Sequence, residues 1–204
     1  MNYKIKLFSL FLLATIFAVG LASAATLAQW SLTTNGTASN VNTNVNAGDF
    51  TAGSGLSVII FAAGGASTSG WTTSANKDTT NYYQITLSPK TNYNLVINSI
   101  NFEERRTLAG VRNYTFEWSK NSDFSSATTI ATVVIPDDAS DRSGNITGLN
   151  INVNNGETIY LRVFGYSAEG SDAATTWRIN DNTLNVEGTA TIVSTTNYCK
   201  LGEK

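Results

Sequence analysis

This sequence predicts an all-β fold, a sandwich of two antiparallel sheets, on three observations. Apolar residues recur in steps of two through most of the chain after residue 24, the period of a strand with one buried face. The runs are bounded by clusters of Gly, Asn, Asp and Ser, which mark turns. No stretch of about 12 residues after residue 24 keeps a helical period. About nine strands at such spacing suit two packed sheets.

The first element is a secretory signal, residues 1–24. Lys4 and Lys6 form a short basic region, Leu7 to Leu21 an apolar core, and Ala22-Ser23-Ala24 a small-residue cleavage site. The core is shorter than the ~20 residues of a membrane span, and no later segment is long and apolar enough to replace it. The predicted product is therefore secreted, extracellular or at the cell surface. The expected domain is 25–190, with a tail at 191–204. Lys4 and Lys6 leave with the signal, taking the net charge from −2 to −4. A mildly acidic chain is a poor nucleic-acid binder, because phosphate contacts need clustered Lys and Arg.

The strands follow in order. Ala28, Trp30 and Leu32 share one face of the first. Leu56–Phe61 is a short apolar run, read as a buried strand, and residues 62–80 form a long loop containing Trp71. Tyr83, Ile85 and Leu87 alternate. Leu95 and Ile97 share one parity, Ile100 and Phe102 the other, which predicts a β-bulge near Asn98-Ser99. Tyr114, Phe116 and Trp118 make the next inner face. Residues 127–135 form a strand stopped by Pro136. Residues 145–153 and 158–166 read as a hairpin turned by Asn155-Gly156. Residues 177–186 close the sheet, with Trp177 in the core.

Several chemistries are excluded or narrowed. The chain has no histidine, which removes Ser-His and Cys-His mechanisms and His-containing zinc sites. Its one cysteine, Cys199, cannot form an intramolecular disulfide and lies in the tail, where an intermolecular bond is its functional reading. Glu104 and Glu117 are candidates for the paired carboxylates of a small glycosidase; salt bridges to Arg105, Arg106, Arg112 or Arg162 are the plainer reading. The triplets at Asn35, Asn113 and Asn145 are glycosylation acceptors only in a host that glycosylates.

Aromatic residues supply the candidate binding site. Tyr160, Arg162, Phe164 and Tyr166 share one strand face, opposite the aliphatic Ile159, Leu161 and Val163. That face is either a ligand surface, with rings to stack on sugars, or a second core layer with Arg162 paired to an acid such as Glu117. Trp71, in a loop of Gly, Ser and Thr, is either a ligand platform or a lid over the core edge.

Two segments carry a family resemblance: 102–124, FEERRTLAGVRNYTFEWSKNSDF, and 162–188, RVFGYSAEGSDAATTWRINDNTLNVEG. They resemble secreted bacterial β-sandwich domains that precede C-terminal anchor or sorting signals, and these are similar to jelly-roll carbohydrate-binding modules. The resemblance implies a jelly-roll-like sandwich and a non-catalytic module, with a glycan or surface polymer as partner. It also implies a structural calcium near the last strand, with Asp181 where the family pattern has its Asp; an Asx turn or bulge hydrogen bond is the other reading of Asp181. The acidic loop of Asp137, Asp138 and Asp141 is a second oxygen-rich cluster. The sequence departs from the pattern by an extra residue in Ile179-Asn180-Asp181-Asn182 and by the lack of a sorting tail. A structural or adhesive surface protein is the alternative role.

Overall fold

A computed structural model of the protein describes residues 24–193. The signal up to Ser23, the tail beyond Val193 and Cys199 lie outside the described residues. Among these residues there is no helix, and all strand pairs are antiparallel.

Sixteen strands are numbered in chain order: β1 (Ala25–Trp30), β2 (Ala38–Val41), β3 (Val45–Ala47), β4 (Thr51–Ala52), β5 (Ile60–Ala62), β6 (Gly65–Thr68), β7 (Tyr82–Pro89) and β8 (Tyr93–Asn101). They continue as β9 (Glu103–Arg106), β10 (Asn113–Ser119), β11 (Thr128–Val134), β12 (Arg142–Ser143), β13 (Ile151–Val153), β14 (Ile159–Tyr166), β15 (Trp177–Asn180) and β16 (Leu184–Ile192). The first sheet runs β13-β8-β16-β1-β2, the second β11-β10-β14-β7-β3 with β4 also on β7, and the third β12-β9-β15-β6-β5.

The first and third sheets share two long strand runs. Only Phe102 separates β8 from β9, and only Asp181, Asn182 and Thr183 separate β15 from β16. The register explains the break. Ile179 faces Glu104, but Asn185 faces Asn101, so the closing strand carries three more residues than its partner across this stretch. Asn182 takes up the excess with φ +58°, a left-handed conformation that Asn tolerates. The Thr183 hydroxyl accepts from the Glu103 amide at 2.9 Å and donates to the Asn180 carbonyl at 2.9 Å. The expected single closing strand is therefore two strands joined by a bulged turn, at the place where the sequence carries its extra residue.

The bulge expected near Asn98 is present: Glu187 faces Ser99 while Gly188 faces Ile97. Three further expectations fail. The run 62–80 is not all loop, because β6 (Gly65–Thr68) forms within it and pairs with β5 and β15. The Asn155-Gly156 turn is made, with Gly156 at φ +84°, but it does not close a hairpin. β13 pairs with β8 in the first sheet and β14 with β10 and β7 in the second, so the turn carries the chain between layers. The run Leu56–Phe61 is not a buried strand. Val58 is 88% and Ile60 65% exposed, and only the short edge strand β5 forms there. Apolar composition alone could not distinguish an edge from a centre.

The core lies where the second sheet faces the other two. Trp177 of the third sheet stacks on Tyr114 (5.5 Å between ring centroids) and lies 5.8 Å from Tyr83, both on the second sheet. The Tyr83 hydroxyl donates to the Trp177 carbonyl at 2.7 Å, and burial pushes its pKa up. Burial, with the Glu104 charge beside it, pushes the Tyr114 phenol up to about 12. At one rim the fully buried Arg106 side chain ties several loops together. It donates to the Thr107 and Pro136 carbonyls and Asp137, and it bonds the Leu108 carbonyl and Glu169.

Candidate functional site on the outer face of the second sheet

Strand alternation decides which side chains of the second sheet meet solvent. On β7, Tyr83, Ile85 and Leu87 turn inward, so Tyr82, Gln84 and Thr86 turn out. On β14, Ile159, Leu161 and Val163 are inner and Tyr160, Arg162, Phe164 and Tyr166 outer. On β10, Tyr114 and Phe116 are inner, while Thr115, Glu117 and Ser119 are outer. The register then builds rows across the sheet. Tyr82, Phe164 and Thr115 lie abreast; Gln84, Arg162 and Glu117 form the next row; Thr86, Tyr160 and Ser119 the one after.

Arg162 is the centre of this face. Its guanidinium carbon lies 4.1 Å from the Tyr82 ring centroid and 4.2 Å from that of Phe124, within cation–π range of both. Nε donates to Gln84 Oε1 at 2.7 Å, and Nη2 donates to the Ser122 carbonyl at 3.2 Å. Desolvation lowers its pKa, partly offset by Tyr82. Phe124 comes from the β10–β11 turn and is held at φ +62°. Its amide donates to the Asn121 carbonyl at 2.9 Å, and Asp123 Oδ1 accepts from the Ser125 amide at 3.0 Å. The Ser125 hydrogen bonds hold the Asp123 carboxyl below the usual carboxylate range.

Phe164 is buried beneath this layer, edge-on to Tyr82 (5.5 Å) and Phe124 (5.9 Å). Lys77 lies with Nζ 4.8 Å from the Phe164 centroid and pairs with Glu117. Glu117 also accepts from the Thr129 hydroxyl at 3.0 Å. Arg162 and Glu117 face each other in register, yet the acid's ion-pair partner is Lys77, not Arg162. Lys77, Glu117, Asp123, Phe124, Arg162 and Phe164 surround a hollow of 270 Å³, near the lower edge of ligand-site volumes. Tyr160 and Tyr166 stand half-buried on the same strand, and the Tyr166 hydroxyl lies 3.4 Å from that of Thr115.

The structure thus brings Tyr160, Arg162 and Tyr166 onto one outward face and separates Trp71 from them. Trp71 is 2% exposed. Its indole nitrogen donates to the Thr68 carbonyl at 3.0 Å, and its ring meets Tyr83 and Trp177 edge-on at 5.1 and 5.3 Å. A ring packed on both sides by core aromatics offers no surface to a ligand, which corrects the reading of Trp71 as a platform. The loop is long and polar, but it tucks this one residue into the core. Trp118, expected in the core, is half-buried at its margin.

Sequence reading missed Tyr82, Lys77 and Phe124. Tyr82 carried a signal: in the pair Tyr82-Tyr83, alternation forces one ring outward. Lys77 and Phe124 lie in polar turns with no periodicity.

Glu104 and Glu117 do not form a catalytic pair. Glu104 belongs to the third sheet and is buried against the core, accepting from the Trp177 indole nitrogen at 2.7 Å. Burial raises its pKa, opposed by that hydrogen bond and by Arg142 and Arg106. Glu117 lies on the outer face of the second sheet.

Asp181 sits in the bulged turn, its amide donating to the Gly64 carbonyl at 3.2 Å. Among the described residues, no three Asp, Glu, His or Cys side chains gather closely enough to hold a metal. The neighbouring Asn180 oxygen is taken by Arg178 Nε at 2.9 Å. The acidic loop is likewise committed to arginines: Asp137 to Arg106 and Arg112, Asp138 to Arg142, Asp141 to Arg178.

No protein-family model and no curated protein matches the chain. Among solved structures, the chain is similar to a point mutant of CBM29-2, a family 29 carbohydrate-binding module. Identity is 10%, coverage 80% of this chain and 92% of that one, and the TM-score 0.39. It is also similar to a xylanase 10C mutant from Cellvibrio japonicus in complex with xylopentaose: 12% identity, 75% of this chain, TM-score 0.39. The chain spans 28% of that protein's length. A third is the N-terminal cellulose-binding domain of β-1,4-glucanase C from Cellulomonas fimi: 9% identity, 73% and 88% coverage, TM-score 0.31. Overlap of this degree is no measure of a shared ligand.

Proposed function

We propose that this chain is a non-catalytic, extracellular glycan-binding module, with its ligand on the outer face of the second sheet. One observation carries the reading: Arg162 is fixed between Tyr82 and Phe124, between the half-buried rings of Tyr160 and Tyr166 on the same strand. A sugar offers an apolar ring face and a rim of hydroxyls. Tyrosine rings can stack on the first, while the remaining guanidinium donors and the Gln84 amide can bond the second. Because cations and rings are already held, little side-chain entropy remains to be lost on binding. The separation of Glu104 from Glu117 speaks against the glycosidase alternative.

Affinity electrophoresis in gels containing xylan, hydroxyethylcellulose or mannan tests this. Migration should be slowed by at least one polymer. Tyr160→Ala and Arg162→Met should restore free migration while the protein stays folded. Arg162→Met should lose only about 1–2 kcal/mol of stability, the worth of two cation–π contacts. Unslowed migration in all three gels, or slowing unchanged in both variants, would sink the proposal.

A further inference from the structure

The third sheet carries a different surface on the side turned from the core. Arg178 on β15 lies in register with Ser67 on β6 and with Arg105 on β9. Its chain neighbours Trp177 and Ile179 are buried, so this row faces outward. Like charges directly opposite one another across antiparallel strands are destabilising. The fold relieves this only in part. Arg178 donates to Asn180 at 2.9 Å and to Asp141 at 3.3 Å. Asp141 also accepts from Asn180 Nδ2 at 2.9 Å; that bond, then the charges of Arg105 and Arg178, hold its carboxyl below the usual range. Arg105 is exposed, and among the described residues its side chain has no hydrogen-bond or ion-pair partner.

Beside this pair lies a hollow of 340 Å³, lined by Ser67, Arg105, Arg106, Thr107, Thr176 and Arg178. The Arg106 side chain is buried, engaged with Glu169 and Asp137. No carboxylate lines the hollow. Two guanidinium groups therefore stand over a floor of small hydroxyl residues, with one shared carboxylate at their edge, on a chain whose net charge is negative.

We propose that this hollow binds an acidic polysaccharide, its oxyanion groups held by Arg105 and Arg178. A guanidinium presents parallel N–H donors that match an oxyanion's paired oxygens. The hydroxyl floor leaves room and partners for the sugar that bears it. A nucleic acid fits less well: it needs a long basic stripe, whereas this is a pair of arginines on a chain of pI 5.1. The site is on another sheet from the Arg162 face and stands or falls separately from it.

The test is electrophoresis in gels containing polygalacturonate, dextran sulfate or unsubstituted dextran, each against a polymer-free gel. Slowing is expected with an acidic polymer and not with dextran. Slowing by polygalacturonate alone identifies a carboxylate ligand, and by dextran sulfate alone a sulfate ester. Arg105→Gln should weaken binding about tenfold, the worth of one charge-assisted hydrogen bond, with a melting temperature no lower than wild type, because the side chain is exposed and unpaired and the change removes a like-charge contact. Arg105→Gln with Arg178→Gln should abolish binding, and Lys90→Gln, an exposed cation elsewhere, should leave it intact. No slowing by either acidic polymer, or wild-type slowing in Arg105→Gln, would overturn the proposal.

Discussion

The two faces of the second sheet are built from the same strands and use aromatic rings in different ways. On the inner face rings meet rings: Trp177 lies 5.3–5.8 Å from Trp71, Tyr83 and Tyr114, and Trp71 lies 5.1 Å from Tyr83, in edge, tilted and stacked contacts. On the outer face rings meet cations as well as rings: Tyr82 and Phe124 hold Arg162 and meet Phe164 edge-on, and Phe164 lies under Lys77. Tyr82 and Tyr83 are adjacent in sequence and fall on opposite sides. Aromatic content alone therefore does not mark a binding surface; the side of the sheet and the partners of each ring do.

The sharpest way to break that contrast is to remove inner rings. Trp177→Ala and Trp71→Ala should each cost about 3–5 kcal/mol, as large-to-small changes in a packed core do, measured as shifts in urea unfolding midpoints. Their edge contact at 5.3 Å should appear as a coupling of about 0.5–1.5 kcal/mol in the double variant. A Trp71→Ala protein as stable as the wild type would return Trp71 to the surface and erase the distinction.

A smaller effect sharpens it. A Cβ at Gly165, between the outer Phe164 and Tyr166, would come within 2.8 Å of the Trp71 ring and 3.0 Å of Val111. Gly165→Ala should therefore cost about 1–3 kcal/mol, the range for overpacking. In a Trp71→Ala background the same change should cost markedly less. An equal cost in both backgrounds would mean that Trp71 does not press on this strand.

The smallest effect extends the contrast to charge. Glu104, among core rings, is pushed up by burial, whereas Glu169, at the rim, is held below its ordinary 4.5 by hydrogen bonds from Arg106 and then Arg112. A depressed carboxylate contributes stability that is present above 4.5 and is lost as pH falls through its lower folded value. Glu169→Gln should be destabilising at pH 7, and the difference from wild type should shrink as pH drops below 4.5. A pH-independent difference in urea midpoints would show that Glu169 acts through packing.

The inner half of this contrast was largely legible in the sequence. Alternation placed Tyr83, Ile85, Leu87, Tyr114 and Phe116 correctly, because a period of two has one meaning when one face is buried. It also put Tyr160, Arg162 and Tyr166 on a common face. What it could not give was long-range pairing. The Asn155-Gly156 turn looks the same whether its strands pair with each other or enter different sheets. The burial of Trp71 depends on Tyr83 and Trp177, distant in sequence. Phe124 owes its position over Arg162 to hydrogen bonds among Asn121, Asp123 and Ser125, which composition does not reveal.

Arg106 joins segments that lie far apart in the sequence: its own strand end, the Pro136-Asp137 turn and the loop bearing Glu169. Small extracellular domains often secure such loops with a covalent cross-link, which one cysteine cannot provide within this chain. Here a guanidinium is the clasp. Its closure needs no oxidant and no isomerase, and a reducing milieu cannot open it. The same rim is instead vulnerable to lysine in its place, because an ammonium cannot spread its donors over so many separate oxygens.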